Sequence, residues 1–175
     1  STLKLQILSR GVRHMKIKEG FVYHIKVEYF KVVRDEKLMK NHEGNFTRPN
    51  YFCINLDNSE ILLFVPMSSK IDKYEEIIEK KIEKYKKCDT IVIGNYRGRK
   101  HAFLIQNMFP IIAKYIDHID TVNGKALQVP SETRRIILEK VNKVFKLKKN
   151  GVNLIFPDVD NNKGILLKEL KKEEG

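Results

Sequence analysis

Glu60-Ile61-Leu62-Leu63-Phe64-Val65-Pro66-Met67-Ser68-Ser69-Lys70-Ile71-Asp72-Lys73 passes from an apolar run into a charged, helical pattern. Residues 60–65 read as a strand and residues 71–87 as a helix, so two hydroxyls and a lysine fall at a strand-to-helix turn over residues 66–73. A helix N-terminus presents unpaired N–H groups and a partial positive charge, which suits a phosphate. Two readings of this turn compete. Ser69 with Asp72 three residues on approximates a capping box, a purely structural device. In the other reading Ser68, Ser69, Lys70 and Lys73 grip a phosphodiester.

Working outward, residues 51–56 form a strand and Asp57-Asn58-Ser59 a turn, so this strand and residues 60–65 make a hairpin. Residues 20–25 are a short strand. Residues 26–39 carry Val27, Phe30, Val33 and Leu38 at nearly helical spacing. Residues 40–50 are a polar loop punctuated by Gly44 and Pro49; it collects Asn41, His42, Arg48 and Asn50, all able to bind phosphate or base edges. Downstream, Ile71, Tyr74, Ile78, Ile82 and Tyr85 define one face of an amphipathic helix, with Glu76–Lys80 and Glu83–Lys87 as i,i+4 pairs.

Residues 90–94 are a strand, followed by a loop over residues 95–101 that sets Arg97, Arg99, Lys100 and His101 around Gly98 with Tyr96 beside them. Cations meet phosphates and a ring stacks a base, so this loop suits RNA. Residues 102–105 are strand-like, and Gln106-Asn107 leads into a helix over residues 108–118 with Pro110 in its first turn. Residues 121–130 are a loop. Residues 131–149 form a third helix, with Ile136, Ile137, Val141, Val144 and Leu147 inward. Its outer face carries Arg134, Arg135, Lys140, Lys143, Lys146, Lys148 and Lys149 against only Glu132 and Glu139, which reads as a phosphate-tracking surface. Residues 151–159 are extended, and the tail from Asp160 is helical near residues 165–170 and frayed. Hairpin-paired strands with helices between them give an α+β class: a compact, mostly antiparallel, barrel-like sheet surrounded by helices.

A chain of 175 residues with 42% hydrophobic content is read as one ordered domain. Residues 1–14 are basic and end before Met15, and are read as a vector-derived or non-native leader preceding a domain over residues 15–175. The chain carries 34 Lys plus Arg against 22 Asp plus Glu, a net charge of +12, which favours a polyanionic partner, with nucleic acid ahead of an anionic membrane. No apolar run approaches the ~18 residues of a membrane span. Cys53 and Cys88 are isolated within apolar runs, as buried thiols of a reducing cytoplasm are.

The five histidines (His14, His24, His42, His101 and His118) form no H-x-x-x-H pair, and no acidic cluster accompanies them, so no metal site is expected. No P-loop or G-x-G-x-x-G occurs, and no cofactor is expected. Metal-free RNA cleavage is better supplied. There the substrate's own 2′-OH is the nucleophile, and the protein deprotonates it, stabilises the charged phosphorane and protonates the leaving 5′-oxygen. Ser68, Ser69, Lys70 and Lys73 can stabilise the charge. Tyr23, His24, Tyr29 and His42 are the candidates for moving protons, and spacing does not choose among them.

Phe21-Val22-Tyr23-His24-Ile25 with Tyr29, then Tyr51-Phe52-Cys53-Ile54, then Val65-Pro66-Met67-Ser68-Ser69-Lys70 resemble, in that order, the ToxN/AbiQ superfamily of type III toxins. Phe103-Leu104-Ile105-Gln106-Asn107-Met108-Phe109-Pro110-Ile111 is similar to the family's later strand-to-helix segment, and residues 153–159 match more weakly. Tyr96-Arg97-Gly98-Arg99-Lys100 with residues 105–110 is most similar to the CptN branch. The resemblance spans residues 15–159. It implies an endoribonuclease toxin with a MazF-like barrel core that cuts RNA without metal and leaves a 2′,3′-cyclic phosphate. It also implies an RNA antitoxin, a repeated pseudoknot that occupies the active groove in a closed toxin–RNA assembly. The family's Thr/Ser-Ser pair falls on Ser68 and Ser69, and its early tyrosine on Tyr29. The family's following lysine aligns with Ile71, so Lys70 or Lys73 substitutes for it. A basic residue of the family falls near Asn50, with Arg48 as its replacement.

The expected function is therefore a cytoplasmic, metal-independent endoribonuclease toxin acting on mRNA, with Ser68, Ser69, Lys70, Lys73, Tyr29 and His24 catalytic. Arg48, Asn50, His42, Tyr96, Arg97, Arg99, Lys100, Asn107, Arg134 and Arg135 are expected to bind RNA. The rivals are a non-catalytic RNA-binding protein and a DNA-binding regulator that uses the basic third helix.

Overall fold

The computed structural model describes residues 2–3 and 16–174, so the expected leader, residues 1–14, lies outside the described residues apart from Thr2 and Leu3. The first strands are β1 (Thr2–Leu3), β2 (Ile17–Lys18) and β3 (Val22–Ile25), followed by the short helix α1 (Val27–Val32). Then come β4 (His42–Glu43), β5 (Phe46–Thr47), β6 (Asn50–Asn55), β7 (Leu62–Ser68) and helix α2 (Ile71–Tyr85). The second half contains β8 (Ile91–Tyr96), β9 (Arg99–Leu104), β10 (Phe109–Ile111), β11 (Ile116–Ile119), β12 (Thr121–Val122) and β13 (Lys125–Ala126). Helices α3 (Ser131–Lys149) and α4 (Val159–Glu174) close the chain.

The principal sheet is antiparallel, in the order β11-β3-β6-β7-β9-β8, with β10 also against β7. Strand β7 is its centre, and every one of its residues is buried. One edge of β7 pairs with β6; the other pairs with β10 through Leu62–Phe64 and then with β9 through Met67 and Ser68. Pro66 sits at the changeover. The Met67 N–H donates toward the β6 side, to the Pro49 carbonyl at 3.0 Å, so Pro66, lacking an N–H, faces the gap between β10 and β9.

Alternation along β7 builds two cores. Leu62 and Phe64 join Tyr23, Phe52 and Phe109 beneath Tyr29 of α1 and Leu166 of α4. Leu63, Val65 and Met67 join Val22, Val92 and Phe103 beneath Ile137, Val141 and Val144 of α3. Helix α2 covers a third, smaller cluster through Tyr74, over Ile91, Ala102 and Leu104. The α+β class and antiparallel sheet agree with the sequence reading. The expected barrel-like core does not close: among the described residues β11 and β8 each pair on one side and not with each other.

Three local expectations change. The helix expected over residues 108–118 is β10, a single 3-10 turn (Ala113–Tyr115) and β11. Phe109, Ile111, Ile112, Ala113 and Tyr115 are all buried, and a short apolar run does not distinguish strand from helix by period. The loop expected over residues 95–101 is instead a hairpin whose two-residue turn has Arg97 at φ 58° and Gly98 at φ 72°, the left-handed pair that a type I′ turn needs. The tail helix starts at Val159 rather than fraying, because the Asp35 carboxylate accepts the Asp158 N–H and the Asn162 side-chain amide, both at 2.8 Å.

Helix α3 holds its expected bounds and lies close on β8. A Cβ built on Gly94 falls 2.5 Å from Thr133 Cγ2, so only glycine allows the approach. Gly94→Ala is expected to lower stability by about 1–3 kcal/mol in a urea titration, with Thr133→Ala restoring part of the loss.

Candidate functional site

Ser68 is the last residue of β7, 2% exposed, with its hydroxyl on the α2 side of the sheet. The β4–β5 hairpin folds over it. Gly44, at φ 62°, takes the first position of the two-residue turn, where a Cβ would be strained, and sends Glu43 back onto the end of β7. The Ser68 hydroxyl donates to Glu43 Oε2 at 2.7 Å. The Ser69 hydroxyl and N–H donate to Oε1 at 2.5 and 2.9 Å. Arg48 Nη1 completes the shell, donating to Oε2 at 2.8 Å. Arg48 is itself 7% exposed, and donates also to the Met67 and Lys40 carbonyls.

Partial burial acts to raise the Glu43 carboxyl. The Ser69 and Ser68 hydroxyls, the Ser69 N–H and the Arg48 charge outweigh burial and hold it at about 2, far below its ordinary 4.5. Two hydroxyls, one backbone N–H and one guanidinium therefore converge on a single anion, the donor set of an oxyanion receptor. The capping reading of Ser69 is overturned: the N-cap of α2 is Lys70, with no side-chain capping bond, because the Ser69 hydroxyl is committed to Glu43.

Beside the clamp lies a cleft of about 230 Å³, lined by Met39, Lys40, His42, Gly44, Lys70, Lys73 and Tyr74 as well as Glu43, Arg48 and Ser68. Both lysines left open by the sequence line it. Lys73 Nζ rests 5.3 Å from the centroid of the Tyr74 ring. Four cations thus surround one carboxylate. Ile71, the aligned position of the family's lysine, instead packs into the cluster beneath α2.

His101, outside the expected site set, precedes Ala102 on β9. Ala102 pairs with Ser68 and shares its face, so His101 projects to the other face, where its ring meets Tyr96 edge-on at 5.7 Å. Burial lowers the imidazole below its ordinary 6.5; the Arg99 carbonyl opposes this, the Arg97 and Arg99 charges add to it, and the Glu43 carboxylate opposes it least. Its Nδ1–H donates to the Arg99 carbonyl at 3.2 Å.

Other expected site residues lie elsewhere. Tyr29 is wholly buried, donates to the Pro110 carbonyl at 2.7 Å, and is pushed well above its ordinary pKa by burial. Tyr23 is also buried, its hydroxyl oxygen accepting the Lys18 N–H. His24 spends both ring nitrogens: Nε2–H donates to Asp120 Oδ1 at 2.8 Å and Nδ1 accepts from the Thr47 hydroxyl at 2.7 Å. Tyr96 is buried with its hydroxyl on Asp120 Oδ2, so its ring is not open to a base. Asn50 is buried and donates to the Arg48 carbonyl; Asn107 is buried beyond β9. Arg99 and Lys100 are exposed on the β8–β9 hairpin, and Arg97 lies 3.5 Å from Asp120.

The α3 surface is less free than its sequence implies. Arg134 donates to the Val129 carbonyl, and Arg135 bridges Glu132 and Glu139. Lys140 and Lys143 reach Asp89, and Lys148 reaches Asp160. Glu43 was not among the expected site residues. Its one signal in the sequence is Gly44-Asn45, a candidate two-residue turn between His42-Glu43 and Phe46-Thr47.

Because the folded pKa of Glu43 is depressed, its stabilisation is full above pH 4.5 and is lost as pH falls through about 2. The stability gap between wild type and Glu43→Gln is expected to be widest near neutral pH and to close between pH 4.5 and 2, as measured by denaturant unfolding across that range.

No protein-family model and no curated protein matches the sequence. The fold is similar to the solved structure of AbiQ, a lactococcal anti-phage endoribonuclease belonging to the type-III toxin-antitoxin system. The TM-score is 0.61 with 15% sequence identity, over 86% of this chain and 98% of that chain. At this identity the similarity is one of fold.

Proposed function

We propose that this protein is an endoribonuclease toxin of the ToxN/AbiQ kind, and that the cleft at Ser68 and Ser69 holds the scissile phosphate. The observation that carries this reading is the convergence of the Ser68 hydroxyl, the Ser69 hydroxyl and N–H, and Arg48 on one anion. In the free protein that anion is Glu43. A phosphodiester offers the same charge and more acceptor oxygens, with Lys40, Lys70 and Lys73 at hand to hold it. An entering phosphate displaces the Glu43 side chain from these donors, while its hairpin stays tied to β3 through Thr47 and His24. The net charge of +12 supports a polyanionic substrate.

The chemistry follows from those groups. The substrate 2′-oxygen attacks phosphorus, its proton passes to a base, the P–O5′ bond breaks, and the 5′-oxygen is protonated. The products are a 2′,3′-cyclic phosphate and a 5′-hydroxyl, and no metal is required. Charge growing on the non-bridging oxygens meets the serine hydroxyls, the Ser69 N–H and the cations. His42, in the cleft lining, is the imidazole placed to pass protons between the 2′- and 5′-oxygens. Tyr29 and His24 take structural roles. The partner that silences the toxin is an RNA antitoxin, a pseudoknot repeat that enters the same cleft within a closed toxin–RNA assembly. The similarity of Tyr96-Arg97-Gly98-Arg99-Lys100 to the CptN branch supports that branch within the superfamily. The DNA-regulator reading is weakened by the ion pairs that α3 makes within the chain.

Purified protein is expected to cut an AU-rich transcript in EDTA and to leave cyclic-phosphate ends. Ser69→Ala is expected to lower the rate by about 10²-fold, the loss typical of one oxyanion donor. Intact RNA with the wild type, or full activity in Ser69→Ala, would overturn the assignment.

A further inference from the structure

Phe46 is 80% exposed, more than any other large hydrophobic side chain among the described residues. Its position makes that exposure informative. In the β4–β5 pair Phe46 is directly opposite Glu43. Residues directly opposite in an antiparallel pair project from the same face of the ribbon, with Cβ atoms roughly 5 Å apart. Glu43 points from that face onto Ser68 and Ser69, so the Phe46 ring leaves the same face of the hairpin, next to a residue that lines the cleft. Glu43, its cross-strand neighbour, lines that cleft together with Lys40, Lys70 and Lys73.

A bare ring beside a cation-lined cleft fits one occupant better than an apolar protein surface. An unpaired nucleobase offers a flat face to the ring while its own phosphate meets the cations, the pairing found where proteins hold single strands. An apolar partner would have to desolvate the lysines with nothing to neutralise them.

We propose that Phe46 is the base-stacking residue of this cleft, receiving an unpaired nucleobase next to the phosphate held by Ser68 and Ser69. The inference rests on the RNA reading above. It makes Phe46 a substrate-contacting residue that selects single-stranded over paired RNA. Because stacking strength is greater for larger ring systems, it also favours a purine at that position.

The chain contains no tryptophan, so Phe46→Trp introduces a single indole whose emission reports on this one place. The probe is a fluorescein-free, single-stranded 2′-O-methyl oligoribonucleotide of mixed sequence, which cannot be cut because it lacks the nucleophile. Titrated into full-length Phe46→Trp protein, it is expected to quench the indole, whereas heparin, with charge but no bases, is not. In a parallel anisotropy titration with a labelled copy of the oligonucleotide, Phe46→Ala and Phe46→Leu are expected to bind roughly 5- to 150-fold more weakly than wild type, the range for one lost stack. Phe46→Trp is expected to bind at least as well as wild type. Binding by wild type with an unquenched indole, or equal affinity in Phe46→Ala, would overturn the stacking role and leave the nuclease reading standing. Absence of binding by wild type would overturn both.

Discussion

A guanidinium buried to the extent of Arg48 must be met by an anion and by hydrogen-bond acceptors, or its desolvation would unfold the region around it. Arg48 finds the anion in Glu43 and the acceptors in the Met67 and Lys40 carbonyls. That single requirement ties the β4–β5 hairpin to the end of the central strand. It also fixes where the hydroxyls of Ser68 and Ser69 point. β7 contributes the rest: its alternation sends Leu62, Phe64 and Ser68 to one face and Leu63, Val65 and Met67 to the other. The strand emerges from the core with a donor-rich tip beneath α2.

The contrast between this tip and α3 locates the positive potential that remains available. The helix is richer in lysine and arginine, yet much of its charge is answered by Asp89, Asp160, Glu132 and Glu139. In the cleft, Lys40, Arg48, Lys70 and Lys73 face Glu43 alone among the lining residues. Excess charge counted along a helix is therefore a poor guide to a binding surface when acids arrive from other elements. Asp89 and Asp160 lie far from α3's cations in sequence or beyond its end, so the neutralisation is tertiary and invisible to composition.

The legible parts of the fold were those with strong periodicity. The hairpin of β6 and β7, the amphipathic α2 and the bounds of α3 follow from spacing, as does the serine pair at the end of β7. The segment around Phe109 and Ile111 was misread because it is buried on all sides and so carries no period, and Pro110 fits the start of a helix as well as it fits β10. Glu43 was hidden for a different reason. Its hairpin has two residues per strand, too short for a pattern, and its partner serines are separated from it by 25 and 26 positions. Tyr29, by contrast, was visible as a motif residue, but its depth in the core was not, since an aromatic on a short helix reads alike whether its hydroxyl faces substrate or the Pro110 carbonyl.

The donors now satisfied by Glu43 are those proposed to take the phosphate. The most direct measurement is an amide NMR titration of the ¹⁵N-labelled protein with the uncleavable single-stranded oligoribonucleotide. The Ser69 amide, freed from Glu43 and bound to phosphate, is expected to move furthest, together with Lys70 and the β4–β5 hairpin. Shifts running along α3 with the Ser69 amide unmoved would contradict it.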